Sequence, residues 1–143
     1  MKLLSDRSRS VMQFASREAR ALGHSSIETE HVLLGILKEG SALTETVRRK
    51  IDHDFNKIRL ELATHILNRT GNITTYRLPL GHDVETVLKS AEAQASISSS
   101  DSIIPEHLLV ALINTPNTAA YRTLAALNIQ ADDVLLDLAA DRG

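Results

Sequence analysis

An all-α fold of two four-helix repeats, eight helices in total, is predicted by three observations on this 143-residue chain. First, Thr29-Glu30-His31-Val32-Leu33-Leu34-Gly35-Ile36-Leu37 returns 76 residues later as Pro105-Glu106-His107-Leu108-Leu109-Val110-Ala111-Leu112-Ile113. Glu and His are kept, and most of the remaining positions exchange one aliphatic or small residue for another. Second, the same offset pairs Leu4 with Leu80, Val11 with Val87, Met12 with Leu88, Ala15 with Ala91, Ala19 with Ala95, Ile27 with Ile103, Ile58 with Val134 and Leu62 with Leu138. An ungapped offset of this reach is the mark of an internal duplication. Third, hydrophobic content is 43% but aromatic content is only 3%, with no Trp. A core of Leu, Ile, Val and Ala suits close-packed helices better than a β-sandwich.

Each element has its own signals. Ser5 is placed to cap a first helix whose apolar positions Val11, Met12, Ala15, Ala19 and Leu22 follow helical spacing, and Gly23 marks its end. After a loop from His24 to Glu28, Thr29 is the expected N-cap of a second helix, with Glu30 in its first turn opposing the positive end of the dipole. Gly40 ends that helix, and Ser41 is the expected cap of a third that runs to about Lys50. Phe55, Ile58, Leu62 and Ile66 form the apolar stripe of a fourth. The stretch from Asn68 to Tyr76 lacks helical period and reads as the linker between repeats, exposed and open to proteolysis. The chain is thus a single domain, 1–143, of repeat 1 (4–67), a linker (68–79) and repeat 2 (80–139). The second copy gives a helix from about Asp83 to Ser96, a serine-rich loop, a helix from Pro105 to Asn114, one from about Thr118 to Leu127, and a last one carrying Val134, Leu135 and Leu138. Proline is tolerated at the start of the second of these because its missing N–H has no helical partner there.

Composition excludes several classes. A net charge of −2 and a pI near 6.3 leave no basic footprint for nucleic acid. No apolar run approaches the roughly 18 residues that span a bilayer, and Asp6, Arg7 and Arg9 interrupt any signal-peptide core. With no cysteine, disulfides, thiolate catalysis and Cys-type zinc sites are excluded. A cytoplasmic monomer without metal or cofactor is expected. The histidines form no His-Glu-x-x-His helix, no Gly-x-Ser-x-Gly elbow is present, and no phosphate-cradling Gly-x-x-x-x-Gly-Lys loop is present. The chain is expected not to be an enzyme.

The Glu-His pair is the polar feature retained in both copies, and two readings of it stay open. Glu30 and Glu106 are either charges that suit a helix start, or carboxylates that accept hydrogen bonds from a cation such as a guanidinium while neighbouring helix-terminal N–H groups take an anion. His31 and His107 are either buried rings that satisfy a loop backbone, or site residues. Adjacent helical residues point about 100° apart, so Glu and His need not meet over one substrate.

Ser5-x-x-Ser8, the run from Phe14 to His24, and Ile27-x-Thr29-Glu30-His31-Val32-Leu33-Leu34-Gly35-Ile36-Leu37-Lys38-Glu39-Gly40 together resemble the repeat of the Clp N-terminal domain, which precedes the ATPase rings of the ClpA and ClpC chaperones. The resemblance covers about residues 4–67 and 80–139. It implies a pseudo-twofold all-α docking module that receives adaptor proteins and substrate proteins for unfolding and delivery to a protease, with Clp ATPase and protease components as partners. In ClpC-type members it also implies binding of phosphoarginine-marked proteins through the repeat Glu and a hydroxyl at the start of the first helix. Carried over by position, a first pocket would use Ser5 with Glu30, and a second would use Glu106.

Departures fall in both copies, most of them in the second. Gly81 stands where its hydroxyl would be, Pro105 replaces Thr29, Ser98-Ser99-Ser100 replaces Leu-Gly-His, and Leu4 occupies a position that is usually aromatic. Binding dominated by Ser5 and Glu30 is the resulting expectation. A free-standing accessory protein acting on a Clp machine in trans, or a repurposed helical domain for a peptide or small molecule, are the alternatives.

Overall fold

The computed structural model describes residues 3–52 and 78–135. The expected fourth helix around Phe55–Ile66, most of the linker and the residues after 135 lie outside them. Among the described residues the fold is helical: α1 (Asp6–Ala21), α2 (Thr29–Glu39), α3 (Glu45–Asp52), α4 (His82–Ile97), α5 (Pro105–Ile113) and α6 (Ala119–Ala126), with residues 131–135 also helical.

Local chemistry explains the starts and stops. Ser5 caps α1, its Oγ accepting from the Ser8 N–H at 3.1 Å. Thr118 caps α6 in the same way, accepting from the Tyr121 N–H at 3.1 Å. α1 and α4 end alike: His24 N–H reaches the Ala19 carbonyl at 2.9 Å, and Ser100 N–H reaches that of Ala95 at 2.8 Å. This closure needs a left-handed residue, which is Gly23 (φ 73°) in the first copy and Ser99 (φ 55°) in the second. Gly40, at φ 89°, terminates α2 as expected.

Two expected caps are corrected. Glu28, not Thr29, is the N-cap of α2, because the His31 ring takes the Glu28 N–H and fixes that residue outside the helix. Thr44, not Ser41, supports the start of α3, its Oγ1 accepting from Val47 N–H at 3.2 Å. Ser41 instead turns its hydroxyl to the Glu39 carboxylate.

α2 and α5 lie at the centre of the core, with Leu33, Ile36, Leu108, Leu109 and Leu112 fully buried. α1 covers α2 and α4 covers α5. Val11, Ala15 and Ala19 on α1, and Val87, Ala91 and Ala95 on α4, are all 0% exposed. Small side chains on these faces bring the backbones close. Opposite Gly35, a Cβ would lie 3.3 Å from the Ala15 nitrogen and closer still to the Val11 carbonyl. The second copy carries Ala111 at that position.

The repeats are joined by two short parallel bridges, Leu4 with Ile103 and Ile27 with Leu80. These are the same contact seen from either side of the duplication, since Leu4 corresponds to Leu80 and Ile27 to Ile103. Each copy thus lends the residues before its first helix to the loop before the other copy's second helix. A further tie joins α3 to the end of the second repeat. Lys50 Nζ donates to the Asn128 carbonyl at 2.6 Å and to Asp133 Oδ2 at 2.7 Å, and Thr44 Oγ1 donates to the Asp133 carbonyl at 2.9 Å.

Candidate functional site

The bridges decide which candidate residues meet. Ser5 N–H donates to the Ile103 carbonyl at 2.9 Å, and the buried Ser8 Oγ donates to the same oxygen at 2.7 Å. Ile104 is the N-cap of α5 and Glu106 its second residue. Ser5 at the start of α1 therefore sits beside the start of α5, where Glu106 is half-buried and reaches solvent.

Glu30 is elsewhere. α1 and α2 are antiparallel, with Gly35 opposite Val11 and Ala15. Glu30 consequently lies toward the far end of α1 from Ser5, about 20 Å along the helix at 1.5 Å per residue. It is 1% exposed. Ser5 and Glu30 therefore do not meet inside one repeat; the start of the first helix of repeat 1 adjoins the helix start of the second repeat instead. Across the pseudo-twofold, Gly81 N–H donates to the Ile27 carbonyl at 2.8 Å, so the start of α4 adjoins Glu28 and the first turn of α2, where Glu30 is the second residue.

The two corners differ in chemistry. The first combines the Ser5 hydroxyl, the Ile104 side chain and the solvent-reaching Glu106. The second combines Gly81 with two carboxylate residues, Glu28 and Glu30. Exposed helix-terminal N–H groups and a hydroxyl suit an anion, and a carboxylate suits a guanidinium. In the first corner the Ser5 hydroxyl is turned to Ser8, accepting from its N–H at 3.1 Å and donating to its Oγ at 3.2 Å, and Glu106 is half-buried; in the second the Ser26 hydroxyl donates to the half-buried Glu28 carboxylate.

The repeated histidines are structural. Glu28 N–H donates to His31 Nδ1 at 2.8 Å, and Ile104 N–H donates to His107 Nδ1 at 3.0 Å. Both rings are 0% exposed. Each supplies the reciprocal half of a capping box, fixing the chain at the N-cap of the central helix. In the first repeat Nδ1 is thereby an acceptor, so the neutral ring carries its proton on Nε2. That proton is directed at Nδ1 of His24, 2.8 Å away. Ser100 stands at the place of His24 in the second copy, where its hydroxyl donates to the Ser102 carbonyl at 2.7 Å.

Among the described residues, no group of three or more His, Cys, Asp or Glu side chains is arranged to hold a metal. No described helix is long and apolar enough to cross a membrane. A cavity of about 310 Å³ lies between α5, α6 and the stretch after Asn128, lined in part by Ile113, Tyr121, Leu124 and Ile129. It adjoins neither corner, and sequence reasoning did not anticipate it, because its lining comes from segments that are separately unremarkable.

The chain matches the model of the Clp repeat (R) N-terminal domain over residues 3–127 and again over 79–141. It is 31% identical over 130 residues to a probable ATP-dependent Clp protease ATP-binding subunit of Chlamydia pneumoniae, covering 90% of this chain and 15% of that protein. The chain therefore spans only a small part of the length of this curated relative. Its fold is that of the N-terminal domain of the ClpD chaperone from Arabidopsis thaliana, at TM-score 0.71 and 20% identity, covering 94% of this chain and 96% of that one. A second solved structure, described as a peptide from the EAEC T6SS Sci1 SciI protein, is similar at TM-score 0.77 and 26% identity, covering 96% of this chain and 87% of that one. With its duplicated helices, its reciprocal bridges and a family match over most of its length, the chain belongs to the Clp repeat N-terminal domain family.

Proposed function

We propose that this chain is a non-catalytic docking module, monomeric in isolation, that receives adaptor or substrate proteins for a Clp chaperone–protease machine. A cytoplasmic setting alongside that machine is part of the proposal. The single observation that supports it best is the first corner. An N-capped helix start, a serine hydroxyl and a solvent-reaching carboxylate come from opposite repeats there, held by a backbone hydrogen bond and by the buried Ser8 hydroxyl. Such a rigid frame suits a small doubly polar group presented on a protein surface. We infer that phosphoarginine is such a group, its phosphoryl directed to Ser5 and the first-turn N–H groups of α1, and its guanidinium to Glu106. Glu30, buried in the core, serves the helix start instead.

The neighbour whose description names a SciI peptide supports peptide docking as the general mode. The test is capture of purified Clp ATPase, protease and adaptor subunits on the immobilised chain, with titration of arginine and phosphoarginine forms of one peptide. Capture of a Clp component, together with binding of the phosphorylated form alone, supports the reading. Failure of every Clp component to bind overturns the Clp partnership. Indifference to the phosphoryl group overturns the finer assignment.

A further inference from the structure

The Glu28 carboxylate lies against Gly81, the residue at the start of α4. We infer that the Glu28 carboxylate is an intramolecular occupant of the start of α4 that excludes external anions from it, so that the domain has one anion-accepting corner instead of two. The inference rests on the reading of the first corner given above, and concerns a residue that reading does not use.

Three observations carry it. Gly81, the N-cap of α4, has φ −66° and ψ 161°, and Ser5, the N-cap of α1, has φ −64° and ψ 166°. The backbone at 81 is therefore already that of a serine cap, and glycine is not required there by conformation. The space a side chain would take is filled by the Glu28 carboxylate: a Cβ at 81 would lie 2.6 Å from Glu28 Cδ, with both carboxylate oxygens at least as close, so Glu28 would have to swing aside to admit one. The Glu28 carboxylate is also anchored, since Ser26 Oγ donates to Oε1 at 2.6 Å, and Gly81 N–H holds the two backbones together through Ile27.

The exchange across the pseudo-twofold is reciprocal. Ser5 faces the loop that carries Ile104, and Gly81 faces the loop that carries Glu28, at equivalent positions. Where the cap has a side chain, the opposing residue, Ile104, is apolar and brings no charge to the helix start. Where the cap has none, the opposing residue is an acid whose charge lies at the positive end of the helix, a favourable place for it. An incoming phosphoryl group would meet that charge at short range, and like charges in such a site disfavour binding strongly.

The test transplants the first corner onto the second. Calorimetric titration with phosphoarginine is carried out on the parent chain, on Glu28→Ile, and on the Glu28→Ile/Gly81→Ser double variant. Isoleucine is already the N-cap of α5, and the backbone at 81 accepts serine, so the double variant keeps the fold. The expected result is one more bound equivalent in the double variant than in the parent, at an affinity within about tenfold of the first site. A parent that binds none while the double variant binds one keeps the inference and removes the reading of the first corner. A double variant that binds no more equivalents than the parent overturns the inference. A second readout needs no ligand. Gly81→Ser alone should lower the melting temperature, and Glu28→Ile should restore it in the double variant. Equal losses with and without Glu28 would overturn the steric part of the argument.

Discussion

The N–H of Ser5 donates to the carbonyl of Ile103 at 2.9 Å, joining residues 98 positions apart in the chain. Its counterpart, Gly81 to Ile27, measures 2.8 Å. These reciprocal bonds tie the two copies together, each placing the start of the first helix of one copy against the start of the Glu-His helix of the other. The corner proposed for a ligand would therefore be shared between repeats, with neither copy containing it alone.

Gly35 permits a close approach of α1 and α2. Gly35→Ala should destabilise the domain by about 1–3 kcal/mol through overpacking against the Val11 carbonyl, despite the better helix propensity of alanine. Ala111→Gly in the second copy should cost about 1 kcal/mol from propensity. Urea unfolding of the two variants checks the contrast. A stabilised Gly35→Ala would show that the approach is looser than described.

His24 and His31 should act as a unit. His31→Ala loses both the capping bond to the Glu28 N–H and the contact with His24, whereas His24→Ala loses the contact and keeps the capping bond. A double-mutant cycle should return a coupling of about 0.5–3 kcal/mol, as expected for buried groups in direct contact. Additive losses would mean that the ring contact contributes nothing to stability.

Ser99 adopts φ 55°, a conformation that glycine takes without steric cost. Ser99→Gly should stabilise the chain by up to about 1 kcal/mol, since the first copy already uses Gly23 there. Thermal unfolding reads the shift. A loss of stability would indicate that the serine side chain contributes more than its backbone strain.

Asp133 ties the second repeat to α3. Burial works to raise its pKa, but the Gln130 N–H, the Lys50 hydrogen bond and the Lys50 charge outweigh it, and hold the carboxyl below the usual aspartate value. A carboxyl whose folded pKa lies below its unfolded one contributes stability above the unfolded value, and loses that contribution as pH falls through the folded one. Stability should therefore fall as pH drops from about 5 toward about 2, with Asp133 contributing to the slope. Lys50→Met should reduce that contribution and make the slope shallower. An unchanged slope in Lys50→Met would remove this pair from the acid response.

What sequence reading recovers here is the part governed by local period. Val11, Ala15 and Ala19 announce the buried face of α1, and their counterparts announce that of α4. Gly40 announces the end of α2. The caps are less legible. Thr29 and Ser41 are good capping residues by type, but the His31 ring captures the Glu28 N–H, and Thr44 lies closer to the first turn of α3. The place of Ser5 beside the start of α5 leaves no local signature, because it depends on a bridge between distant loops. The one hint is that Leu4 and Ile27 recur at the common offset as Leu80 and Ile103. Glu28 is least legible, since its significance appears only when Gly81 is seen against it.

The central claim is that the ligand corner spans the two repeats. It is tested most directly by calorimetric titration of one phosphoarginine peptide into the parent, Ser5→Ala, Glu106→Ala, the Ser5→Ala/Glu106→Ala double variant, and Glu30→Gln. Each of the first two single variants should lose one charge-assisted hydrogen bond, about 1.5–3 kcal/mol, or roughly ten- to a hundredfold in affinity. The double variant should lose less than the product of the two, because both residues serve one site. Glu30→Gln should bind as the parent does. A loss on Glu30→Gln equal to that on Glu106→Ala, with strictly additive effects of Ser5 and Glu106, would contradict the account.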